Sequence, residues 1–578
     1  CAQPMEPVRP VVQIPARTVY RSAKGEWIVD FGQTLCGRAR IRVDAPKGTE
    51  LTFEYFEVTD WAGNYRNTMI APQKDVYISN GSPCQYEAAF TFHGFRYLRV
   101  SGADSVHKED FTAVALSTEK ENLGAFECSD SRLNRLYQNI RWSQRSNMLS
   151  IPTDCPSREK GGFTGDIQIY AKTAMLNEEM TPFLTGWLKN LKAAQAENGA
   201  VPITVPETAP YRRLMAANAR EFGDEPPVGV AGWSDAAVLV PYTMYRLTGN
   251  RRILEEQYES MTHWCGYIIR TAEGRRGDFG LPHEVDSVLW NTGFHFGEWL
   301  IPSEEKGITQ KEACQRSAFY TAPIFGYLSV KCMAEISEVL QKPEKAYYSR
   351  TAGQMKAAIQ TALICDGELR SQNMGAYVLM IAFDLVPEHC KEHFAQKLIS
   401  LLDSHQGCLD TGFLATPFLL DAFVKIGRRD LAIKLLWQTR MPSWLYEVEQ
   451  GATSVWESWD AITPGSEPRI TSYNHYAFGC VDAWIFENIA GIRALEPGFR
   501  RVEIAPDPDG LPLVYCRRSF RCEYGDLLVF WDRQTLRVSI PCGVRAVIRW
   551  QGASHEVGSG EYTFTEPHRG GDQNERTG

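Results

Sequence analysis

Three stretches of the chain carry different hydrophobic periods. Between about Arg17 and Leu116 apolar residues recur at every second position. Ala39, Ile41 and Val43 alternate with Arg38, Arg40, Arg42 and Asp44, and Leu51, Phe53 and Tyr55 repeat the pattern. A period of two belongs to a half-buried strand. The aromatic run from Phe90 to Tyr97 continues it, while Pro46-Lys47-Gly48 and Gly81-Ser82-Pro83 punctuate it. A β-sandwich over residues 17–120 closes such strands. From about Cys128 to Ile492 the spacing becomes three and four: Tyr348, Ala352, Met355, Ile359 and Leu363 mark one face of an amphipathic helix. Similar runs follow Asp166, Asp235, Glu312, Pro387 and Asp421, separated by joints such as Thr248-Gly249-Asn250. A segment this long holds about a dozen helices of ordinary length. Six hairpins would close into an (α/α)6 toroid over residues 121–495. An α-solenoid is the rival, but no repeat of fixed period is present. After Pro497 alternation returns in Leu536, Val538 and Ile540, then in Val544, Ala546, Ile548 and Trp550. These predict a small C-terminal β-sandwich over 496–570. Residues 1–16 read as a flexible leader and 571–578 as a tail, the chain being polar from Glu566 onward.

Composition narrows the function classes. The 578 residues are 44% hydrophobic and 23% charged, as in ordinary globular proteins. The net charge of −9 is spread along the chain without a Lys/Arg run, which argues against nucleic acid as a partner. No apolar stretch approaches the roughly 20 residues of a membrane-spanning helix. The 15 cysteines are odd in number, scattered and never in C-x-x-C spacing, so neither a disulfide framework nor a zinc quartet is expected. Cys332 and Cys480, amid apolar neighbours, read as small buried hydrophobes. Cys1-Ala2-Gln3 followed by a Pro-rich segment reads as a lipoprotein after signal cleavage, a cut at an arbitrary residue being the alternative. The expectation is a lipid anchor on Cys1 and a place in the periplasm or on the surface of a bacterium.

The densest chemistry lies in Asp154-Cys155-Pro156-Ser157-Arg158-Glu159-Lys160-Gly161-Gly162-Phe163-Thr164-Gly165-Asp166. Three carboxylates and two cations sit among glycines that permit close backbone approach, ahead of a helix that Asp166 could cap. The residues alone leave two readings open, a solvated loop with one capping Asp or charged groups aimed into a cavity. A second stretch, Gly451 to Asp460, places Glu457 between Trp456 and Trp459. Apolar walls raise a carboxyl pKa and aromatic rings stack on sugars; a partly buried Glu paired to an Arg is the plainer alternative. Gly232-Trp233-Ser234-Asp235 and Ser472 to Gly479, with His475, complete the candidates, although a lone His is more often part of a core. Cleaving an acetal requires one carboxyl that holds a proton and another that is ionised. No G-x-S-x-G elbow, P-loop or H-E-x-x-H competes.

Together these motifs resemble the inverting α-L-rhamnosidases of glycoside hydrolase family seventy-eight. The resemblance covers most of the chain in order: Val29 to Gln33 and Phe92 to Tyr97, the Asp154–Asp166 loop, Thr411 to Leu414, Pro442 to Tyr446 running into Gln450 to Thr453, and Asn474 to Gly479. It implies release of terminal non-reducing α-L-rhamnose from plant-type polysaccharides or glycosides. Glu159 would be the general acid and Glu457 the general base. Asp154, Arg158 and Asp166 would bind sugar hydroxyls or tune the acid, and Trp233, Trp299 and His475 would line the sugar pocket. An inverting pair stands roughly 6.5–9.5 Å apart. Two departures are present: Phe163 stands where the family has Trp, and Glu298 in Gly297-Glu298-Trp299-Leu300 where it has Asp. Both are expected to reshape the pocket wall, with Phe163 among its substrate-binding residues. The family's occasional calcium-bearing domain finds no room, so no metal and no cofactor are expected. Two rivals stay open: an (α/α)6 enzyme of other glycone specificity, with extra Arg or Lys for a uronyl carboxylate, and a catalytically silent carbohydrate-binding protein.

Overall fold

A computed structural model describes residues 5–70, 73–207, 228–274, 281–304 and 308–565. The expectations for Cys1 and for the tail from Glu566 fall outside them.

The N-terminal domain is organised by one 17-residue strand, Trp27–Val43. Its first half lies between Thr18–Arg21 and His93–Ser101. The register breaks between Asp30 and Leu35, and beyond Gly37 the strand pairs instead with Phe111–Thr118 and Cys84–Glu87. One strand therefore serves both layers of a sandwich, because an irregularity lets it bend from one sheet direction to the next. Val29, Phe31, Leu35, Phe53, Tyr55, Phe95 and Leu98 fill the space between. The leader expected over residues 1–16 needs correction: Val8–Pro15 is a strand, paired antiparallel with Phe111–Thr118 from Val8 opposite Thr118 to Pro15 opposite Thr112. It lies at an edge with mostly exposed side chains, where its two prolines are tolerated. That is why it reads as a leader.

The helical domain closes into a ring. Thr164–Asn177, Ala236–Thr248, Gln310–Val339, Met374–Ala382, Thr416–Lys425 and the short helical run Ala477–Trp484 touch one another in that order, and the last returns to the first. Ser131–Asn147, Thr181–Ala194, Arg251–Gly274, Lys345–Leu363, Lys391–Ser404 and Arg429–Leu436 lie outside them. The toroid expected from the sequence is what forms, and an open solenoid is ruled out by the closing contact. Burial separates the two layers. Thr164–Asn177 buries every residue except Lys172, whereas Lys345–Leu363 buries the stripe Tyr348, Ala352, Met355, Ile359 and Leu363. Thr248 ends its helix on Gly249 in the left-handed conformation, φ 72°, the glycine C-cap the joint implied.

The C-terminal domain consists of two sheets. One orders Ile492–Ala494, Arg501–Ile504, Arg545–Trp550 and Ala553–Val557; the other orders Gly560–Thr565, Thr535–Ile540, Gly525–Asp532, Tyr515–Cys522 and Phe126–Cys128. The last of these strands precedes the first ring helix, and it pairs with Tyr515–Cys522 through Cys128 opposite Cys516. The apolar core of this domain is continuous with that of the ring. At the junction Arg518, fully buried, donates to Asp482 at 3.1 Å and lies 3.4 Å from the Asn177 side-chain oxygen. Cys332 and Cys480 are buried and free, as their neighbours implied. Among the described residues no helix is long and apolar enough to cross a membrane.

Candidate active site

The Asp154–Asp166 loop is folded on itself by Asp154. Its peptide N–H donates to Gly161 O at 2.8 Å, and its carboxyl accepts the Gly161 N–H at 2.7 Å. The two cations of the loop reach the N-terminal domain: Arg158 donates to Thr68 O at 3.0 Å, and Lys160 to Phe92 O at 2.8 Å with its ammonium over the Phe92 ring. They fasten the loop from behind, so that Glu159 between them is directed inward. Its side chain keeps 27% of its exposure, and the guanidinium of Arg158 stands at a loose 3.9 Å.

The helix that follows is not capped by Asp166. Phe163 occupies the N-cap position, and Asp166 sits inside the first turn. Its carboxyl instead faces His475 Nε2 at 2.7 Å. A β-carbon at residue 165 would overlap the Trp233 indole, so Gly165 is what allows the helix start to close on that ring. Trp233, 3% exposed, packs on Phe296, which packs in turn on Trp299. Trp299 lines a cavity of about 110 Å3 with Glu304, Gln310, Ser317 and Arg469. The turn carrying Trp233 is held by Asp235, which accepts the Gly232 N–H, the Trp264 indole N–H and the Ser329 hydroxyl.

Glu457 stands on a turn tied to the 471–475 segment. Its N–H donates to Ser472 O at 3.1 Å, and its Oε2 accepts the Thr471 hydroxyl at 2.9 Å and the Ser472 N–H at 3.0 Å. Among the described residues no Lys or Arg pairs with it, so the buried Glu–Arg alternative does not apply. The flanking tryptophans differ from expectation. Trp456 packs with Tyr473, Val58 and Ala461, while Trp459 lies against Phe478 and Trp444, both indoles being at most 3% exposed. They anchor the turn in two cores and offer little face to a sugar.

Electrostatics tie these groups into one site. Burial pushes the Glu159 carboxyl well above the usual carboxylate range, and the charges of Asp154 and Glu457 push it further, with Arg158 and His475 opposing. Burial also raises Asp154, helped by Asp166 and opposed by His475. For His475 burial disfavours the imidazolium, but Asp166, Glu457 and Asp154 outweigh it and lift the ring to about 9. The structure thus brings Asp154, Glu159, Asp166, Glu457 and His475 within electrostatic reach of one another, with Arg158 behind Glu159, Phe163 against Gly161 and Trp233 against Gly165. Trp299 stands further round, joined through Phe296. Glu298 is fully enclosed: its carboxyl accepts the Gly412 N–H at 2.7 Å and occupies the space that a side chain at Gly375 would fill. It is therefore wall structure behind the pocket and not part of its surface. Among the described residues no three His, Cys, Asp or Glu side chains are grouped to hold a metal ion.

Two acids escaped the sequence reading. Glu447, fully buried, accepts the Trp456 N–H at 3.2 Å and so braces the turn that carries Glu457. Glu57 comes from the N-terminal domain, 3% exposed, and accepts the Tyr473 N–H at 3.2 Å. The signal for Glu57 was present: it continues the inward phase of Leu51, Phe53 and Tyr55, a carboxyl where the alternation demands a hydrophobe.

Comparison with known proteins identifies the domains that build this site. Residues 20–117 match the bacterial alpha-L-rhamnosidase concanavalin-like domain, 121–489 the bacterial alpha-L-rhamnosidase 6 hairpin glycosidase domain, and 491–563 the bacterial alpha-L-rhamnosidase C-terminal domain. An alpha-L-rhamnosidase of Streptomyces avermitilis is 33% identical over 98% of this chain and 54% of its own length; one of Formosa agariphila is 32% identical over 90% and 54%. The chain spans about half the length of the curated relatives it matches. The Streptomyces avermitilis structure, solved in complex with L-rhamnose, superposes with a TM-score of 0.88 at 32% identity, covering 98% of this chain and 54% of that one. The Aspergillus terreus alpha-L-rhamnosidase gives 0.86 at 31% identity, covering 97% and 64%. With three adjoining domains matched in one order along nearly its whole length, the chain belongs to the bacterial alpha-L-rhamnosidase family.

Proposed function

We propose that the chain is an inverting α-L-rhamnosidase that releases terminal non-reducing α-L-rhamnose from plant-type polysaccharides or glycosides, with Glu159 as general acid and Glu457 as general base. The observation that carries this reading is the contrast between two carboxyl groups in one site. Glu159 is crowded by burial and by neighbouring negative charge, which keeps its proton on near neutrality. Glu457 has one oxygen, Oε2, committed as acceptor to Thr471 and Ser472, and among the described residues no donor reaches Oε1. A carboxyl that keeps its proton can act as the acid, and a second carboxyl with an oxygen open to water can act as the base.

In this mechanism Glu159 passes its proton to the glycosidic oxygen as the bond to the anomeric carbon breaks. The departing electron pair stays with that oxygen, and positive charge spreads over the anomeric carbon and ring oxygen. Glu457 Oε1 takes a proton from a water that attacks from the opposite face, so the product anomer is inverted. Room for that water sets the separation at roughly 6.5–9.5 Å. The imidazolium of His475, charged by Asp166, offers a donor to a sugar hydroxyl. That a relative was solved with L-rhamnose supports rhamnose as the sugar. A proton NMR time course on an aryl α-L-rhamnoside tests the reading: β-L-rhamnose should appear first. Initial release of the α-anomer would argue for retention, and hydrolysis of other aryl glycosides in preference would move the glycone.

A further inference from the structure

Glu57 is a carboxyl that the N-terminal domain sends into the helical domain's site, and its surroundings are unusual. It follows the strand Glu50–Phe56 and is 3% exposed. Oε2 accepts the N–H of Tyr473, the peptide next to Ser472, whose own N–H holds Glu457. The side-chain hydroxyl within reach is Ser157, two residues before Glu159. Among the described residues neither Ser157 Oγ nor Glu57 Oε1 completes a hydrogen bond, although both are buried. Two buried polar atoms facing each other at the junction of two domains are destabilising if left unmatched. A proton on Oε1, donated to Ser157 Oγ, satisfies both at once.

We propose that Glu57 is a positioning residue of the hydrolytic centre: as a neutral carboxylic acid it joins the acid-bearing loop at Ser157 to the base-bearing arm at Tyr473, and so fixes the separation of Glu159 and Glu457. This rests on the assignment of those two residues as acid and base. The neighbours favour the neutral form. Burial and the Glu457 charge raise Glu57 to about 7, while the Tyr473 N–H, Ser157 and His475 pull the other way. From the remaining elements the charged groups facing it are Asp60 and Arg96, across a cavity of about 180 Å3 that also borders Tyr473. Arg158 and Glu159 flank it from the acid loop beyond Ser157. As pH rises through that range the Oε1 proton leaves, the bridge must reverse with the Ser157 hydroxyl as donor, and a second negative charge appears beside the base.

Two substitutions separate positioning from mere packing. In Glu57→Gln the amide accepts from Tyr473 and donates to Ser157, as the neutral acid does. It should keep kcat within about threefold of wild type at acid pH and lose activity less steeply between about pH 6 and 8, because nothing at this position deprotonates. Glu57→Ala should lower kcat by about 10- to 100-fold with KM nearly unchanged, the cost of a reacting pair out of place. Equal kcat in wild type and Glu57→Ala, or a Glu57→Gln variant with the wild-type pH profile, would overturn the proposal. So would a Gln variant as impaired as the Ala variant. Wild-type minus Glu57→Gln infrared difference spectra give a readout free of activity and serve if the Ala variant fails to fold. They should show a protonated-carboxyl band in mild acid that vanishes by about pH 8. Absence of that band defeats the neutral bridge alone. A wild type that shows it yet hydrolyses no rhamnoside defeats the hydrolase reading instead.

Discussion

His475 Nε2 lies 2.7 Å from Asp166 Oδ1, a pairing that joins positions 309 residues apart and closes the first ring helix onto the last. Both side chains are about 95% buried, so neither partner could hold its charge alone.

That pair makes stability depend on pH in a definite direction. Folding raises His475 from its ordinary 6.5 to about 9. A group raised on folding stabilises fully below its unfolded value and ceases to do so as pH climbs through its folded value. The expected contribution of about 3 kcal/mol below pH 6.5 should disappear by about pH 10. Thermal unfolding of wild type and His475→Asn across this range checks it. The gap between the two should be wide in mild acid and nearly closed at the alkaline end. A gap that does not vary with pH contradicts the charged pair.

Glu457→Gln should lower kcat by about 10²- to 10⁴-fold, since an amide cannot take the water's proton. L-rhamnose binding, followed by calorimetry, should remain close to wild type because Gln still accepts from Thr471 and Ser472. Loss of binding together with turnover would move Glu457 from base to sugar ligand.

Glu159→Gln should discriminate between leaving groups. A rhamnoside with an alkyl or sugar aglycone needs protonation and should lose about 10³-fold, whereas a dinitrophenyl rhamnoside should lose about tenfold or less. Steady-state rates on the two substrates decide it, and equal losses reject the acid assignment.

Arg518→Leu removes the cation from a pair in which both side chains are fully buried, stranding Asp482. The expected loss is about 3–5 kcal/mol, read as a lower urea midpoint at constant slope. The double change Arg518→Leu with Asp482→Asn should recover part of that loss, because no lone charge remains.

What the sequence disclosed depended on which face of each element meets water. Outer helices such as Lys345–Leu363 pair an apolar stripe with a solvated side, and their period is plain. Met374–Ile381 in the inner ring is buried throughout, so its composition is apolar without a stripe and its type does not show in the spacing. Val8–Pro15 is the opposite case, a strand exposed on most of its length with no buried phase to read. At the site, carboxyl density exposed the Asp154–Asp166 loop. The tryptophans beside Glu457 misled because adjacency along a turn does not fix direction: Trp456 and Trp459 enter separate cores. Glu57 was legible only as an exception to its strand's alternation. Its role depends on the meeting of two segments 416 residues apart in the chain, which no local pattern records.

A circle of helices has no backbone ladder around its rim, so its seam rests on side chains, such as Thr173 donating to Cys480 O and Asn177 donating to Asp482, and on whatever spans it from outside. Here the three residues that lead into the ring, Phe126–Cys128, are stitched as an edge strand to Tyr515–Cys522, which comes after the ring is complete. The final domain therefore acts as a buckle. A fragment cut at the end of the last ring helix would leave Phe126–Cys128 without its partner strand and Asp482 without Arg518, and the seam would rest on the side chains of its own helices alone.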